Sequence, residues 1–411
     1  MTRVERASGG PGGDTRPSRV STIARRVSAA DFVFYATVAV VYVVAAGIAT
    51  RTFQIAPDRM MVLAERLVQG HLDSPTFAGT VDSVQVGGRY YVTVGPLQVV
   101  PYLPFVAIVP LQGLSPYLTS LAFGIPAAWV SLPLARAYGA QGRAAYWVAA
   151  FTAFGTLLFF VSVLGNFYFL AQAEAYLFLE LVLLEWAAAR RPFVLGILFG
   201  LGFLARPTTV LAAVPIGLDV LWRWRERAST ALLLGLPLAL AAVVYGVFNW
   251  ARFGSPLETG YAISHLAEPA LVARRALGVF SLAQVPENLR LALLQGFRFD
   301  RRFPYLTVNP YGLSMLLVSP ALLAAAWAGF RRRRAALLWA AALVVAVPVF
   351  LYYGGGYIQY GYRYSLDFTP FLVALLAMGS ERWVGLPEKA LIVASIVSVT
   401  FGVLWRAHAL P

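Results

Sequence analysis

Apolar runs about twenty residues long recur along this chain, and they limit its possible folds more than any other feature. Residues 32–49 and 335–353 are two examples, and neither contains a charged side chain. A helix needs ~20 residues to cross the ~30 Å hydrocarbon core of a bilayer, whereas a membrane barrel alternates apolar and polar residues along its strands. The runs therefore predict an all-α fold, a polytopic transmembrane helical bundle.

Composition and charge exclude several other classes of protein. Hydrophobic residues make up 59% of the chain and charged residues 13%, roughly half the charged share of soluble proteins. The arginines behind the net charge of +14 stand in short clusters between apolar runs, unlike the single basic face of a nucleic-acid-binding protein, so no nucleic-acid partner is expected. The chain has no cysteine and three histidines, which excludes thiol chemistry, and no metal site is predicted.

The N-terminal residues 1–30 differ from the rest of the chain. They are rich in glycine, proline and arginine, a composition that buries too little apolar surface to fold. We predict a disordered basic cytoplasmic tail, followed by a transmembrane domain over residues 31–411. The first apolar run is too long for a signal-peptide core and is expected to remain as an anchor.

The arginine clusters predict how the chain threads through the membrane. Cytoplasmic loops carry an excess of Lys and Arg, and this rule places the N-terminus in the cytoplasm and the C-terminus outside. We expect a multi-pass protein of a bacterial plasma membrane with about eleven spans. The predicted spans are residues 31–50, 117–135, 144–164, 169–189, 193–205, 207–222, 230–248, 311–330, 335–353, 368–384 and 390–405.

Two long segments are predicted to lie outside, residues 51–116 and 249–310. The apolar run 97–114 belongs to the first of them, because counting it as a span would move the later arginine clusters to the wrong side. Its repeated prolines also remove hydrogen bonds that lipid cannot replace. We therefore predict that this run and residues 58–69 form two interfacial helices of a large first extracytoplasmic loop.

Two aspartates of the first outer segment are candidate site residues. Asp58 follows Pro57 at the start of the first interfacial helix. A carboxylate there interacts favourably with the helix dipole, so helix capping explains Asp58 as well as a role as general base does. Asp82 is the next candidate and is expected to support substrate binding.

Gln172, Glu174 and Arg206 are candidates on or beside the predicted spans. Polar groups at a membrane edge are costly, and they mark a site unless they pair with each other. Gln172 and Glu174 are suited to orienting a substrate or a divalent ion, or else to pairing between helices. Arg206 is suited to a phosphate, or else extends its charge to the interface.

The remaining candidates follow two predicted outward spans. Arg252 and Tyr261 belong to the turn-rich segment 249–261, where Arg252 and Glu258 are suited to a local ion pair. Tyr362 and Arg363 belong to the sequence GGGYIQYGYRYSLD at residues 354–367. Its tyrosines are suited to stacking on a sugar or to the aromatic belt of the membrane, and Arg363 is suited to an anion.

These residues together indicate transfer from a phosphate-linked donor carried by lipid. A carboxylate takes the proton of an acceptor hydroxyl, and arginines stabilise the leaving phosphate oxygens.

The chain also resembles the GT-C superfamily of membrane glycosyltransferases over most of its length from residue 31. The resemblance rests on Asp58 at the start of the large first loop, on GRYY at 88–91 and GPL at 95–97, and on FGSPLETGY at 253–261 and YGYRYSLDFTPF at 360–371. The last two segments are similar to bacterial relatives of dolichyl-phosphate-mannose protein mannosyltransferases and of lipid A aminoarabinose transferases.

The resemblance implies an inverting glycosyltransferase with a polyprenyl-phosphate sugar as donor. Asp58 would be the catalytic base, and a glycan, lipid or protein of the cell envelope would be the acceptor. Many members carry an acidic pair where this chain has Asp58 and Arg59. The missing second acid argues against a metal at Asp58, and a divalent cation, Mg²⁺ or Mn²⁺, is compatible with the sequence but not required by it.

Two alternatives from other classes remain open. A lipid or solute transporter, or flippase, would also bury charged groups in the membrane. A non-catalytic scaffold of the cell envelope would keep the same fold without the activity.

Overall fold

The computed structural model describes residues 27–52, 59–106, 108, 116–223, 226–301, 305–383 and 385–408. Asp58 and most of the predicted N-terminal tail lie outside these residues. The described chain is mostly helical, as the sequence predicts. Its α-helices are α1 (Ala29–Thr52), α2 (Arg59–Val68), α3 (Leu103–Val106), α4 (Pro116–Ala137), α5 (Gly142–Gly155), α6 (Leu157–Val163), α7 (Phe167–Ala187), α8 (Pro192–Ala205), α9 (Ala213–Arg223), α10 (Arg227–Phe253), α11 (Pro269–Ala276), α12 (Val285–Leu293), α13 (Met315–Val318), α14 (Arg333–Leu351), α15 (Thr369–Trp383) and α16 (Leu386–His408).

Six of these helices are long and apolar enough to cross a membrane. They are α1, α4, α7, α10, α14 and α16, and α5 with α6 makes a seventh if this pair, bent by 48°, is one span. The predicted count of about eleven is not confirmed, because α8 and α15 are shorter. Pro207 and Pro320 begin the 3-10 segments Pro207–Ala212 and Pro320–Ala328 where straight spans were predicted; proline removes a helical hydrogen bond.

Burial separates a central helix from peripheral ones. In α7, 83% of the apolar stretch of the helix is buried inside the protein, where α7 packs against α4 and α8. In α10 the buried share is 17%, although its mean hydropathy of 2.3 exceeds the 1.5 of α7. A helix that is apolar on its exposed sides belongs in lipid, so α10 lies at the edge of the bundle and α7 at its centre.

The bundle has two different ends. We call the end where α7 begins and where α10 and α14 finish the loop end, and the opposite end the arginine end. Asp31, Arg136 and Tyr146 meet at the arginine end, since Arg136 and Tyr146 both donate to the Asp31 carboxylate. Asp219 also lies there and accepts from Trp186 at the finish of α7.

The first predicted outer segment folds onto the loop end. It contains α2, the hairpin of β1 (Ser83–Val86) and β2 (Arg89–Val92), and a 3-10 segment Leu97–Tyr102 that leads into α3. Ser83 pairs with Val92 and Val86 with Arg89. The hairpin was not predicted, although β1 alternates polar and apolar residues and Gly87 and Gly88 form a two-residue turn typical of hairpins.

Helix α2 covers most of the first predicted interfacial helix, and the 3-10 segment with α3 covers residues 97–106 of the second. Met60, Met61, Leu63 and Ala64 of α2 are buried with residues of the 3-10 segment and with the start of α7. The apolar face of α2 therefore packs on protein.

Gly95 fixes the first segment against α8. A Cβ atom at Gly95 would lie 2.5 Å from the Leu204 carbonyl oxygen, closer than real Cβ contacts. The Gly95 N–H donates to Gln98 Oε1, and Gln98 Nε2 donates to the Phe167 carbonyl. Glycine is required here because two backbones touch.

The second predicted outer segment follows α10, which ends at Gly254 with a φ of 76°. This segment carries α11, α12 and a short hairpin of β3 (Arg298–Phe299) and β4 (Leu306–Thr307). Tyr353, just after α14, donates its N–H to the Val279 carbonyl, which joins the segment to the bundle.

Candidate functional site

The predicted base, Asp58, lies outside the described residues, but its neighbour Arg59 is described. The guanidinium of Arg59 lies 5.1 Å from the centre of the Phe167 ring, and its Nη1 donates to the Val81 carbonyl. The start of α2 is therefore held beside the start of α7 and beside the residue that precedes Asp82.

Asp82 contacts α7 through a tyrosine. Its carboxylate Oδ2 accepts a hydrogen bond from the Tyr168 hydroxyl. Its backbone is in the left-handed region, with a φ of 60°, a conformation that aspartate tolerates better than most residues. The Asp82 N–H donates to the His265 carbonyl over 2.7 Å, so the first and second outer segments meet at this residue.

Arg363 also contacts Tyr168, through the aromatic ring. Its guanidinium is 5.3 Å from the Tyr168 ring centre, 5.5 Å from that of Phe169 and 5.3 Å from that of Tyr364. The residue is 7% exposed, its Nε has no hydrogen-bond partner, and no carboxylate of the described residues forms an ion pair with it. Aromatic faces attract a cation, but they leave its charge uncompensated.

Arg206 is paired, in contrast to Arg363. Its Nε and Nη2 donate to the two carboxylate oxygens of Asp367 over 2.6 and 2.8 Å, and Thr208 also donates to Asp367. Burial acts to lower the pKa of Arg206, but the Asp367 carboxylate outweighs it and raises that pKa above the usual value. From the sequence, Arg206 was expected to bind a phosphate or to extend its charge to the membrane interface. In the structure it pairs with Asp367.

The predicted site tyrosines line the same region. The Tyr261 ring lies 5.9 Å from that of Tyr352, and Tyr364 lies 6.1 Å from both Tyr352 and Tyr362. Burial raises the pKa of Tyr261 and of Tyr362 above their usual values. The Tyr362 hydroxyl is buried and has no hydrogen-bond partner among the described residues.

Gln172 and Glu174 lie deeper in α7 and face no described partner. They are 1% and 0% exposed, and neither the Gln172 amide nor the Glu174 carboxylate makes a hydrogen bond within the described residues. Glu180, further along the same helix, is equally buried and has no partner there either. Within the described residues, no three acidic or histidine side chains come together as a metal site would require.

Arg252 binds the main chain of the first segment. It donates to the Val92 and Val94 carbonyls over 2.7 and 3.2 Å and to Asn249 Oδ1 over 2.9 Å. The ion pair considered with Glu258 is not formed, because Glu258 accepts from the Gly260 N–H. Arg252 therefore holds α10 to the strand β2.

Sequence reasoning missed several residues that the structure brings to this region. Tyr168 and Asp367 were not singled out, although a tyrosine just before a predicted span and the acid that ends the segment 354–367 were visible in the sequence. Arg59 was noticed only as the neighbour of Asp58. His265 and Arg275 gave no local signal, since their role depends on contacts with a distant hairpin.

Compared with family models, with curated proteins and with solved structures, the chain matches none.

Proposed function

We propose that this protein is a membrane glycosyltransferase that moves a sugar from a polyprenyl-phosphate carrier to an acceptor hydroxyl, with inversion at the sugar carbon. One observation carries the proposal. Asp82, Tyr168 and Arg363 come from three distant parts of the chain and meet at the loop end, where Tyr168 contacts both an acid and a cation that forms no ion pair within the described residues.

The two charges suit the two halves of a transfer reaction. A carboxylate, Asp58 or Asp82, accepts the proton of the acceptor hydroxyl as its oxygen bonds to the sugar carbon. The bond from that carbon to the phosphate oxygen breaks, and the lipid phosphate leaves with the electron pair. Arg363 is placed to stabilise this phosphate, since a charge that no carboxylate neutralises is available to an incoming anion.

The paired and buried residues take supporting roles in this proposal. Arg206 and Asp367 fix Tyr364, over whose ring Arg206 lies at 5.4 Å. Tyr261 and Tyr362 supply aromatic faces for a sugar ring. Gln172 and Glu174 are left beneath the site, where they are suited to hold a polar part of the substrate.

We further propose that the loop end faces the outside of a plasma membrane. Arg136, Arg191, Arg223 and Arg333 form ion pairs at the opposite end, which the positive-inside rule assigns to the cytoplasm. The shorter helices between the six long ones would bring the number of membrane-embedded segments toward eleven, with the N-terminus inside and the C-terminus outside.

The experiment is sugar transfer by the purified protein from radiolabelled polyprenyl-phosphate sugars to membrane acceptors. Asp58→Asn and Asp82→Asn remove each candidate base with little change in shape. Asp73→Asn, in the same segment, is the matched control. We expect one of the first two variants to lose transfer by at least about 100-fold while the control stays active.

Two results would contradict the proposal. One is full activity in both Asp58→Asn and Asp82→Asn. The other is a folded, unmodified protein that binds no polyprenyl-phosphate sugar and transfers sugar from none of the donors.

A transporter is the second candidate function, and the unpartnered Glu174 and Glu180 favour it. Carboxylates inside a membrane helix are a feature of ion and proton pathways. Uptake of a solute or of lipid by sealed vesicles containing the protein, lost in Glu180→Gln and retained in Asp82→Asn, would support this function over transfer.

A further inference from the structure

A polar cavity of about 490 Å³ lies at the loop end, between the β1–β2 hairpin and the segment that precedes α11. Its volume is in the range of pockets that hold small ligands. Among its lining residues are Ser83, Gln85, Tyr90, Ser264, His265 and Arg275. A second depression of about 440 Å³ between α1 and α4 is lined by apolar residues such as Phe32 and Trp129, as expected for a surface in contact with lipid.

Two backbone hydrogen bonds build the polar cavity and place it beside Asp82. Asp82 donates its N–H to the His265 carbonyl, and His265 donates its own to the Ser83 carbonyl, each over 2.7 Å. Ser83 lines the cavity, and Asp82, the residue before it, accepts the hydrogen bond from Tyr168. The cavity and the Asp82–Tyr168–Arg363 group therefore both adjoin the start of β1.

Arg275 gives the cavity an available positive charge. Its Nη1 donates to the Ser264 carbonyl over 2.5 Å and to the Ser264 hydroxyl over 3.3 Å, which fixes the guanidinium in place. No described carboxylate forms an ion pair with it, and no acidic side chain lines the cavity. A fixed guanidinium with free N–H groups binds carboxylates and phosphates well.

Tyr353 connects Arg275 to the centre of the candidate site. Arg275 lies 6.0 Å from the centre of the Tyr353 ring. Burial raises the pKa of Tyr353, and the Asp82 carboxylate adds to the rise, while a hydrogen bond with the Ser264 side chain opposes it. The Tyr353 ring lies 4.7 Å from that of Tyr352, which in turn lies 6.1 Å from that of Tyr364, so a cavity residue is joined to the site through neighbouring rings.

We propose that this cavity binds the acceptor, and that the acceptor is an anionic sugar: a hydroxyl-bearing ring that carries a carboxylate or a phosphate. The proposal rests on the glycosyltransferase function proposed above. Arg275 and His265 take the negative group, Ser83 and Gln85 take hydroxyls, and Tyr90 offers an aromatic face. The polar lining does not suit the apolar chain of the donor, which we assign to the lipid-facing side. The phosphate of the donor is assigned to Arg363.

Binding of sugar probes to the full-length protein in lipid nanodiscs, without any donor, tests the cavity by itself. The probes are a glucuronic-acid-containing disaccharide, its uncharged methyl ester, and a phosphorylated disaccharide with its neutral parent. We expect at least one anionic probe to bind about 10- to 100-fold more tightly than its neutral partner, the range that a charge-assisted hydrogen bond supplies.

Variants assign the difference to Arg275. Arg275→Gln is expected to abolish the preference for the anionic probe, whereas Arg298→Gln, at an exposed arginine of the β3–β4 hairpin, keeps it. Arg275→Lys retains a charge and partial preference, which covers the case in which Arg275→Gln fails to fold. Equal affinity for anionic and neutral probes, or a preference that survives Arg275→Gln in the folded protein, would overturn the proposal.

The failure of this inference is distinguishable from failure of the proposed function. If transfer occurs and Arg275→Gln leaves the acceptor KM unchanged, the cavity is not the acceptor site but the enzyme stands. If the anionic probe binds through Arg275 and no donor yields transfer, the cavity is a binding site and the transferase function is wrong.

Discussion

The arginine end and the loop end treat their charges differently. At the arginine end, Asp31 pairs with Arg136, Glu185 with Arg191, and Asp219 with both Arg223 and Arg333. At the loop end, Arg363 and Arg275 are held by aromatic rings and backbone carbonyls and have no described carboxylate partner.

The difference indicates where a ligand belongs. A buried charge is costly unless it is paired. At the arginine end the ion pairs of Arg136, Arg191, Arg223 and Arg333 offset this cost, while Arg334 is held there by the Tyr138 and Trp186 rings. Perturbed and unpaired charged groups concentrate at functional sites. The loop end is therefore the end at which to look for substrates, and the arginine end the one at which to look for stability.

Arg206→Gln should give the largest effect on stability, because Arg206 is a loop-end arginine that is paired as at the arginine end. Asp367, 1% exposed, would keep a buried charge with Thr208 as its remaining partner. Removing one member of such a pair costs about 3–5 kcal/mol, measured as the free energy of unfolding in detergent micelles. A loss below about 1 kcal/mol would contradict the assignment of Arg206 to structure.

Asp219→Asn should give the next largest loss of stability. Asp219 accepts from Arg223, Arg333 and Trp186, but the two arginines are about half exposed and return to water when the carboxylate is lost. We expect a loss of about 2–3 kcal/mol in unfolding free energy. Binding of polyprenyl phosphate should not change, and a large change would break the division between the two ends.

Arg363→Gln should weaken ligand binding more than stability, the opposite of Arg206→Gln and Asp219→Asn. It leaves no carboxylate unpaired, so the unfolding free energy should fall by no more than about 2 kcal/mol, the worth of a desolvated cation–π contact. Binding of polyprenyl phosphate should weaken about 10- to 100-fold, measured by titration in nanodiscs. Arg223→Gln at the arginine end is the control, and equal weakening in both variants would contradict a phosphate role for Arg363.

Glu287→Gln should give the smallest effect. The Glu287–Arg290 pair lies at the loop end, but both side chains are nearly half exposed, and such pairs contribute about 0–1 kcal/mol. The hydrogen bond from Arg290 lowers the pKa of Glu287, so the contribution is present at neutral pH and is lost as the pH falls through that lowered pKa. Unfolding measured between neutral and acidic pH checks both sign and size.

The sequence predicts the helical membrane fold because long apolar runs are a local signal. Residues 32–49 lie within α1 and residues 335–353 largely coincide with α14. The same reasoning overcounts straight spans where proline begins a 3-10 segment, as at Pro207 and Pro320, since hydropathy does not register the missing hydrogen bond. Short strands such as β1 and β2 are missed for lack of length.

The candidate site was predicted less completely, because its contacts join distant parts of the chain. Asp82 and Arg363 were singled out by charge alone, yet Tyr168, 86 residues after Asp82, is what brings them to one place. Arg206 was identified as an isolated cation, while its partner Asp367 stands 161 residues away. Periodicity and composition carry no information on such pairings, which tertiary packing decides.

The contact between Gly95 and the Leu204 carbonyl has a mechanical consequence. Main chain rests on main chain there, one residue before the C-terminal residue of α8 and two before Arg206. The spacing between the hairpin that follows Asp82 and the helix that leads to Arg206 is thus set by atoms that have no rotamers to change. Under the proposed transferase function, this end keeps its dimensions before the donor binds, so little reorganisation energy would be spent during transfer.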